Sequence, residues 1–436
     1  MRTAILIALV VETACGSKEQ GARLDARSED VASAADSAHD VDPDTLKDDT
    51  SDSQAPDSEP EDSVPDDDTI IGDTIEAEDA GDEIVGIPTI AERCFPGIDP
   101  SDLSGPDYDQ LAPIIGSHCL GTNQQDIHGI QEVVFFGDSV TVGTPDLAHL
   151  LSIDNQHLYR NLLAEWLADR FHLSRGDDLT WGFWKTYDYV TGKGGVKVAG
   201  DFRDCAKWGA RTDDLLEGGG QLADCFPDGG TADTTLVVFT MGGNDIAAIT
   251  QEGAEATPEE VAAGYPAERA LAASTVQYLD DAVAYLKDPA HFPGGAYVVF
   301  ANPYEFTDAT GRTDSCSPQN KLDIPGIGEI DLSDYDIPVA SLAGYGAWAD
   351  PAQQREIVIS VLEGYMRVAT QHGVDMVFML EHFCGHGYVA SGEHADPSNA
   401  CYQGPDAELW FDETCIHPSV AGHRAIAEMF EAVISE

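Results

Sequence analysis

Four short runs of β-branched and aromatic residues, separated by stretches of helical periodicity, limit what this chain can fold into. They are Glu132–Phe136 (EVVFF), Thr235–Thr240 (TLVVFT), Ala296–Ala301 (AYVVFA) and Val374–Leu380 (VDMVFML). None shows the polar alternation of a strand with one wet face, so each reads as a strand buried on both faces. Helical spacing runs over Asp146–Phe171, Pro258–Leu286, Pro351–Gln371 and Ser419–Ile434. Strands alternating with helices predict an α/β protein with three α/β/α layers and a flavodoxin-like parallel sheet. In such sheets chemistry gathers beyond the carboxyl ends of the strands.

The pattern starts late in the chain. Residues 16–90 contain no Phe, Tyr or Trp, and carry 24 Asp/Glu against four Lys/Arg, a net of −20. Such a segment cannot bury enough apolar surface to offset its ordering entropy, so it reads as a disordered acidic linker or stalk. The whole chain has a formal charge of −57. Arg2 and Glu12 cancel, so −57 + 20 leaves −37 on residues 91–436, the expected folded domain. That charge repels phosphate and argues against nucleic acid as a partner. It fits a saline habitat, bound divalent cations, or simply a very soluble surface.

Residues 1–15 read as an export signal. Met1-Arg2 supplies a positive charge, and Ala4–Val11 (AILIALVV) is an apolar core too short to span a bilayer. Thr13-Ala14 before Cys15 resembles a bacterial lipoprotein signal, which would make Cys15 the lipidated first residue and attach the protein to a membrane. Glu12 stands where an aliphatic residue is usual, so an ordinary secretory signal is the alternative.

Cysteine usage agrees with export. Besides Cys15 there are eight: Cys94, Cys119, Cys205, Cys225, Cys316, Cys384, Cys401 and Cys415. An even number in an oxidising compartment predicts four disulfides. Neighbours are the cheapest to close, which favours Cys94–Cys119, Cys205–Cys225 and Cys401–Cys415, and leaves Cys316–Cys384. No CxxC pair points to zinc.

Three motifs sit where strands give way to loops. Gly137-Asp138-Ser139-Val140 follows the first strand, a context in which a tight turn presents a serine hydroxyl. Gly242-Gly243-Asn244-Asp245 ends the second, and an Asn amide there is a donor for an oxyanion. His417, in Cys415-Ile416-His417-Pro418-Ser419, stands just before the last helix. Between the first two lies Trp208-Gly209-Ala210-Arg211. Singly, each is also an ordinary turn or helix entry. In this order they resemble the Ser, Gly, Asn and His blocks of the SGNH (GDSL-type) hydrolase superfamily, over roughly residues 130–436.

The resemblance implies a serine esterase or lipase that needs no metal and no cofactor. Ser139 would be the nucleophile and His417 the base. The oxyanion hole would be the Ser139 and Gly209 amides with the Asn244 side chain. Family members usually carry Asp three residues before the histidine, but here that position is Thr414. Either Asp412 or the Thr414 backbone carbonyl would then accept the second imidazole N–H. His382 and His386 have metal-ligand spacing, yet Gly385 and Gly387 argue for a loop of pocket-wall or satisfied histidines. Insertions at about 144–205, 303–350 and 382–412 would shape the pocket. The expected partner of this monomer is a small-molecule, lipid or glycan ester. Carboxylic ester cleavage is the leading reading, with a glycan deacetylase or a non-catalytic surface binding lipoprotein as alternatives.

Overall fold

The computed structural model describes residues 88–95, 105–143, 156–187, 194–216, 220–311, 321–324, 328–331, 348–391, 395–412 and 414–436. The export signal with Cys15, most of the acidic segment, and Cys316 lie outside the described residues.

A six-stranded sheet forms the centre, in the order β2-β3-β1-β4-β5-β8. Its strands are β1 (Glu132–Gly137), β2 (Lys197–Ala199), β3 (Phe202–Asp204), β4 (Thr235–Thr240), β5 (Ala296–Ala301) and β8 (Asp375–Val377). β6 (Lys321–Ile324) and β7 (Gly328–Asp331) pair separately. All neighbours in the main sheet run parallel except β2, which is antiparallel to β3 at the edge. The predicted parallel sheet is present over β3, β1, β4, β5 and β8, with the short antiparallel β2 added at one edge. β2 and β3 have only three residues each, too short to leave a period in the sequence.

The β1 and β4 side chains are fully buried, as unbroken apolar runs require. Val134, Phe136, Val237, Phe239, Val298 and Phe300 point to one face. There they pack on α3 (Gly243–Ala254), α4 (Pro266–Lys287) and α5 (Pro351–His372). Val133, Phe135, Leu236, Val238 and Val299 point to the other. They meet α2 (Tyr159–Phe171) and α6 (Val420–Ser435) through Leu163, Leu167, Ile426 and Phe430. The result is three α/β/α layers with a core on each face of the sheet.

Two predicted elements come out shorter. The run ending at Leu380 forms a strand only over Asp375–Val377, because a helical turn takes over at Met379–Phe383. The helix expected over 258–286 breaks before Pro266, which lacks an N–H to continue it. Tyr265 there takes a left-handed φ of 58°.

Three disulfides join described residues: Cys94–Cys119, Cys205–Cys225 and Cys384–Cys401. The first two match the expectation. The third overturns both Cys401–Cys415 and Cys316–Cys384. Closing 17 residues instead of 14 costs only about 0.2 kcal/mol, so chain length never decided this pairing. Packing did: the buried Asp308 carboxylate accepts the backbone N–H groups of Gly385, Gly387, Val389 and Ala390. This fixes the loop that carries Cys384. Cys415 is also disulfide-bonded.

Candidate active site

Ser139 opens the single-turn helix α1 (Ser139–Val142) at the carboxyl end of β1. The turn between them depends on Gly137, whose φ is 135°. A Cβ there would meet Thr141 Oγ1 at 2.3 Å and the Thr240 carbonyl at 2.6 Å, so only glycine fits. Gln221 clamps both polar groups of this glycine, accepting its N–H at 2.8 Å and donating to its carbonyl at 2.9 Å. Asp138 caps the helix. Its carboxylate accepts the Val140 N–H at 3.0 Å and the Thr240 hydroxyl at 3.1 Å. Burial pushes that carboxyl up to about 7.

The structure brings Ser139 and His417 together across 278 residues of sequence, with Ser139 Oγ 2.9 Å from His417 Nε2. His417 sits on a turn closed by the Phe411–Pro418 bridge and by Asp412 N–H donating to the His417 carbonyl at 2.9 Å. Tyr304 donates its hydroxyl to the Ile416 carbonyl at 2.6 Å, and Tyr388 donates to that of Asp412. Trp208 covers the imidazole, its ring centre 4.8 Å away. Burial drives the His417 pKa down to about 4.

The second imidazole nitrogen meets neither group expected from the sequence. Nδ1 lies 2.9 Å from the side-chain hydroxyl of Thr414, not from its backbone carbonyl. Asp412 is one step further out. It accepts the Thr414 hydroxyl and, at 2.8 Å, the Thr414 backbone N–H. The Asp412 turn folds Thr414 inward, so the hydroxyl reaches the ring first.

Asn244 stands in the first turn of α3, after Gly242 takes a φ of 108° beneath Tyr365. Its Nδ2 donates to the Ala210 carbonyl at 2.9 Å, which uses one of two hydrogens. Asp245 steadies that partner loop by accepting the Thr212 N–H and hydroxyl. Gly209 lies in this loop with a φ of 72°, between the Trp208 that covers His417 and the Ala210 that holds Asn244. Sequence reasoning missed Gln221 and Tyr304, because nothing in their local sequence marks them, and it quoted Trp208 only as the neighbour of Gly209, without its contact to His417.

Ser139, Asn244 and His417 line one cavity of about 580 Å³; Gly209 is not among its lining residues. One wall is a stripe of α5 in which Arg355, Val358, Ile359 and Leu362 recur at helical spacing. Met241, Ile246 and Phe306 add apolar surface. His382 and His386 stay outside it. His382 Nε2 pairs with the Cys119 carbonyl at 3.0 Å, while His386 stacks on Trp410. Among the described residues no three His, Cys, Asp or Glu side chains converge as a metal site, and no helix is long and apolar enough to cross a membrane.

No family model matches the chain, and no curated protein matches it. Two solved structures from Streptomyces are similar to it. An extracellular lipase from Streptomyces rimosus has 18% sequence identity and a TM-score of 0.36. A phospholipase A1 from Streptomyces albidoflavus has 18% identity and a TM-score of 0.35. Each match covers 70% of this chain and 99% of the other. Likenesses this distant carry no functional argument, so the reading below rests on the site itself.

Proposed function

We propose that this chain is an exported serine hydrolase of the SGNH superfamily that cleaves carboxylic esters through an acyl-enzyme, with Ser139 as nucleophile and His417 as base. The observation that carries the reading is the 2.9 Å contact between Ser139 Oγ and His417 Nε2, opening on the cavity that Asn244 also lines. Ser139 Oγ attacks the ester carbonyl as Nε2 takes its proton. The carbonyl oxygen becomes an oxyanion, held by the Ser139 amide and the second N–H of Asn244; the Gly209 amide, a third donor on the SGNH resemblance alone, would have to turn in from outside the cavity lining. Gly243 and Asn244, the first residues of α3, both line the cavity, which puts the positive end of that helix at its wall. Nε2 then returns its proton to the departing alcohol oxygen, leaving the acyl group on Ser139. Water repeats the sequence and releases the acid.

The cavity favours acyl chains over acetyl groups. Its volume is ordinary for a small-molecule pocket, and the α5 stripe offers a run of aliphatic contacts. Export is supported by the three disulfides, which form and persist in oxidising compartments. The acidic segment, by its composition, is a stalk, and Cys15 is its lipid anchor.

The test is labelling with a fluorophosphonate, followed by turnover on p-nitrophenyl esters from acetate to laurate. Wild type should label and Ser139→Ala should not. Turnover of Ser139→Ala should fall by about 10⁴ or more. Labelling of Ser139→Ala, or retention of its activity, would refute the assignment.

A further inference from the structure

We propose that Thr414 and Asp412 together replace the usual third group of the site, as a hydroxyl relay that sets the tautomer of His417 and aims its ring at Ser139. Both are positioning residues, and the proposal rests on Ser139 and His417 being the reacting pair.

Thr414 Oγ1 has three polar neighbours: Asp412 Oδ1, His417 Nδ1 at 2.9 Å and the His417 backbone nitrogen at 3.2 Å. A hydroxyl has one hydrogen and two lone pairs. The backbone N–H can only donate, so it takes one lone pair. An ionised carboxylate can only accept, so the single hydroxyl hydrogen goes to Asp412. The remaining lone pair faces Nδ1, which must therefore carry the hydrogen. Nε2 is left bare toward the Ser139 hydroxyl, as a base requires.

The opposite arrangement is disfavoured. With the hydroxyl hydrogen aimed at Nδ1, an oxygen lone pair would face the carboxylate at close contact. Nε2 would then carry a hydrogen and could not accept one from Ser139. Asp412 thus sets the imidazole's polarity without touching it. Its carboxylate is kept in place by the Thr414 backbone N–H at 2.8 Å, in a turn that asparagine or aspartate makes readily. When Nε2 takes the serine proton, Nδ1–H stays on Thr414 and no proton enters the relay. The charge of Asp412 acts across one intervening hydroxyl, which dilutes it relative to a carboxylate bonded directly to the ring.

The experiment compares Thr414→Val, Thr414→Ser, Asp412→Asn and the Thr414→Val/Asp412→Asn double variant, with Ser139→Ala alongside. Each is assayed on p-nitrophenyl butyrate, and imidazole ¹⁵N NMR reads the tautomer of His417. Thr414→Val is expected to lower kcat by about 10²–10³ with KM within about threefold, since general-base assistance is typically of that size. Thr414→Ser should restore kcat to within about threefold and keep the hydrogen on Nδ1. Asp412→Asn should cost about tenfold, because the amide oxygen still accepts both Thr414 donors. The double variant should be no worse than Thr414→Val, as for two members of one chain of contacts. The relay is overturned by a Thr414→Val kcat within threefold of wild type, or by additive losses in the double variant. Should Thr414→Val not fold, Asp412→Asn with unchanged kcat and tautomer overturns it equally. If Ser139→Ala retains activity, the functional reading itself fails; if Ser139→Ala is dead and Thr414→Val is not, only the relay fails.

Discussion

Lowering the pH is the perturbation whose effect the structure fixes most closely. In the proposed mechanism His417 must be neutral to accept the serine proton, and burial holds its pKa down to about 4, below the 6.5 of a free imidazole. Activity should therefore be level at neutral pH and fall only as the pH drops through about 4. At pH 5 an unperturbed imidazole would be about 3% neutral, while a pKa near 4 leaves about 90% neutral. The difference is about thirtyfold in kcat/KM, or about 2 kcal/mol. The same burial affects folding. The unfolded chain takes up a proton on this histidine near pH 6.5 and the folded chain does not. Stability is therefore lost as pH falls from 6.5 toward 4, by at most about 3 kcal/mol for His417. His423, held down to about 3, adds in the same direction. Asp138 and Asp245, raised to about 7 and about 6 by burial, oppose it, since the stability they contribute is greatest in acid and lost as pH rises through those values. Initial rates on p-nitrophenyl butyrate between pH 3.5 and 8, taken seconds after a pH jump with circular dichroism recorded in parallel, separate catalysis from unfolding. Half-maximal kcat/KM near pH 6.5 in protein that remains folded would refute a burial-depressed base.

Two further outcomes follow from the same geometry. Asn244→Ala should lower kcat by about 10²–10³ with little change in KM, because its second N–H meets charge only in the transition state; an equal change in KM alone would make it a ground-state contact. A chain beginning near Pro88 should keep the full-length kcat, since the preceding acidic segment lacks the residues to build a core, and a loss beyond threefold would mean that it packs on the folded domain.

By itself the sequence determined the layers and placed the candidate motifs at the strand ends. β1, β4 and β5 are buried on both faces, so their runs are unbroken and legible. The motifs that follow β1 and β4 need no distant partner to be recognised, and Ser419 marks the helix after His417 by capping it. Cys94–Cys119 and Cys205–Cys225 were likewise legible as short loops. Tertiary structure decided the rest, because each remaining feature depends on residues far apart or on which atom of a side chain faces inward. The three-residue strands β2 and β3 exist only by pairing with each other and β1. Cys384 finds Cys401 because Asp308, 76 residues upstream, gathers the amides of its loop. Gln221 holds Gly137 across 84 residues. At position 414 the sequence revealed only that the carboxylate expected from the SGNH resemblance is missing. That the threonine's hydroxyl, and not its carbonyl, fills the gap was settled by the turn at Asp412, which swings one oxygen atom toward the imidazole.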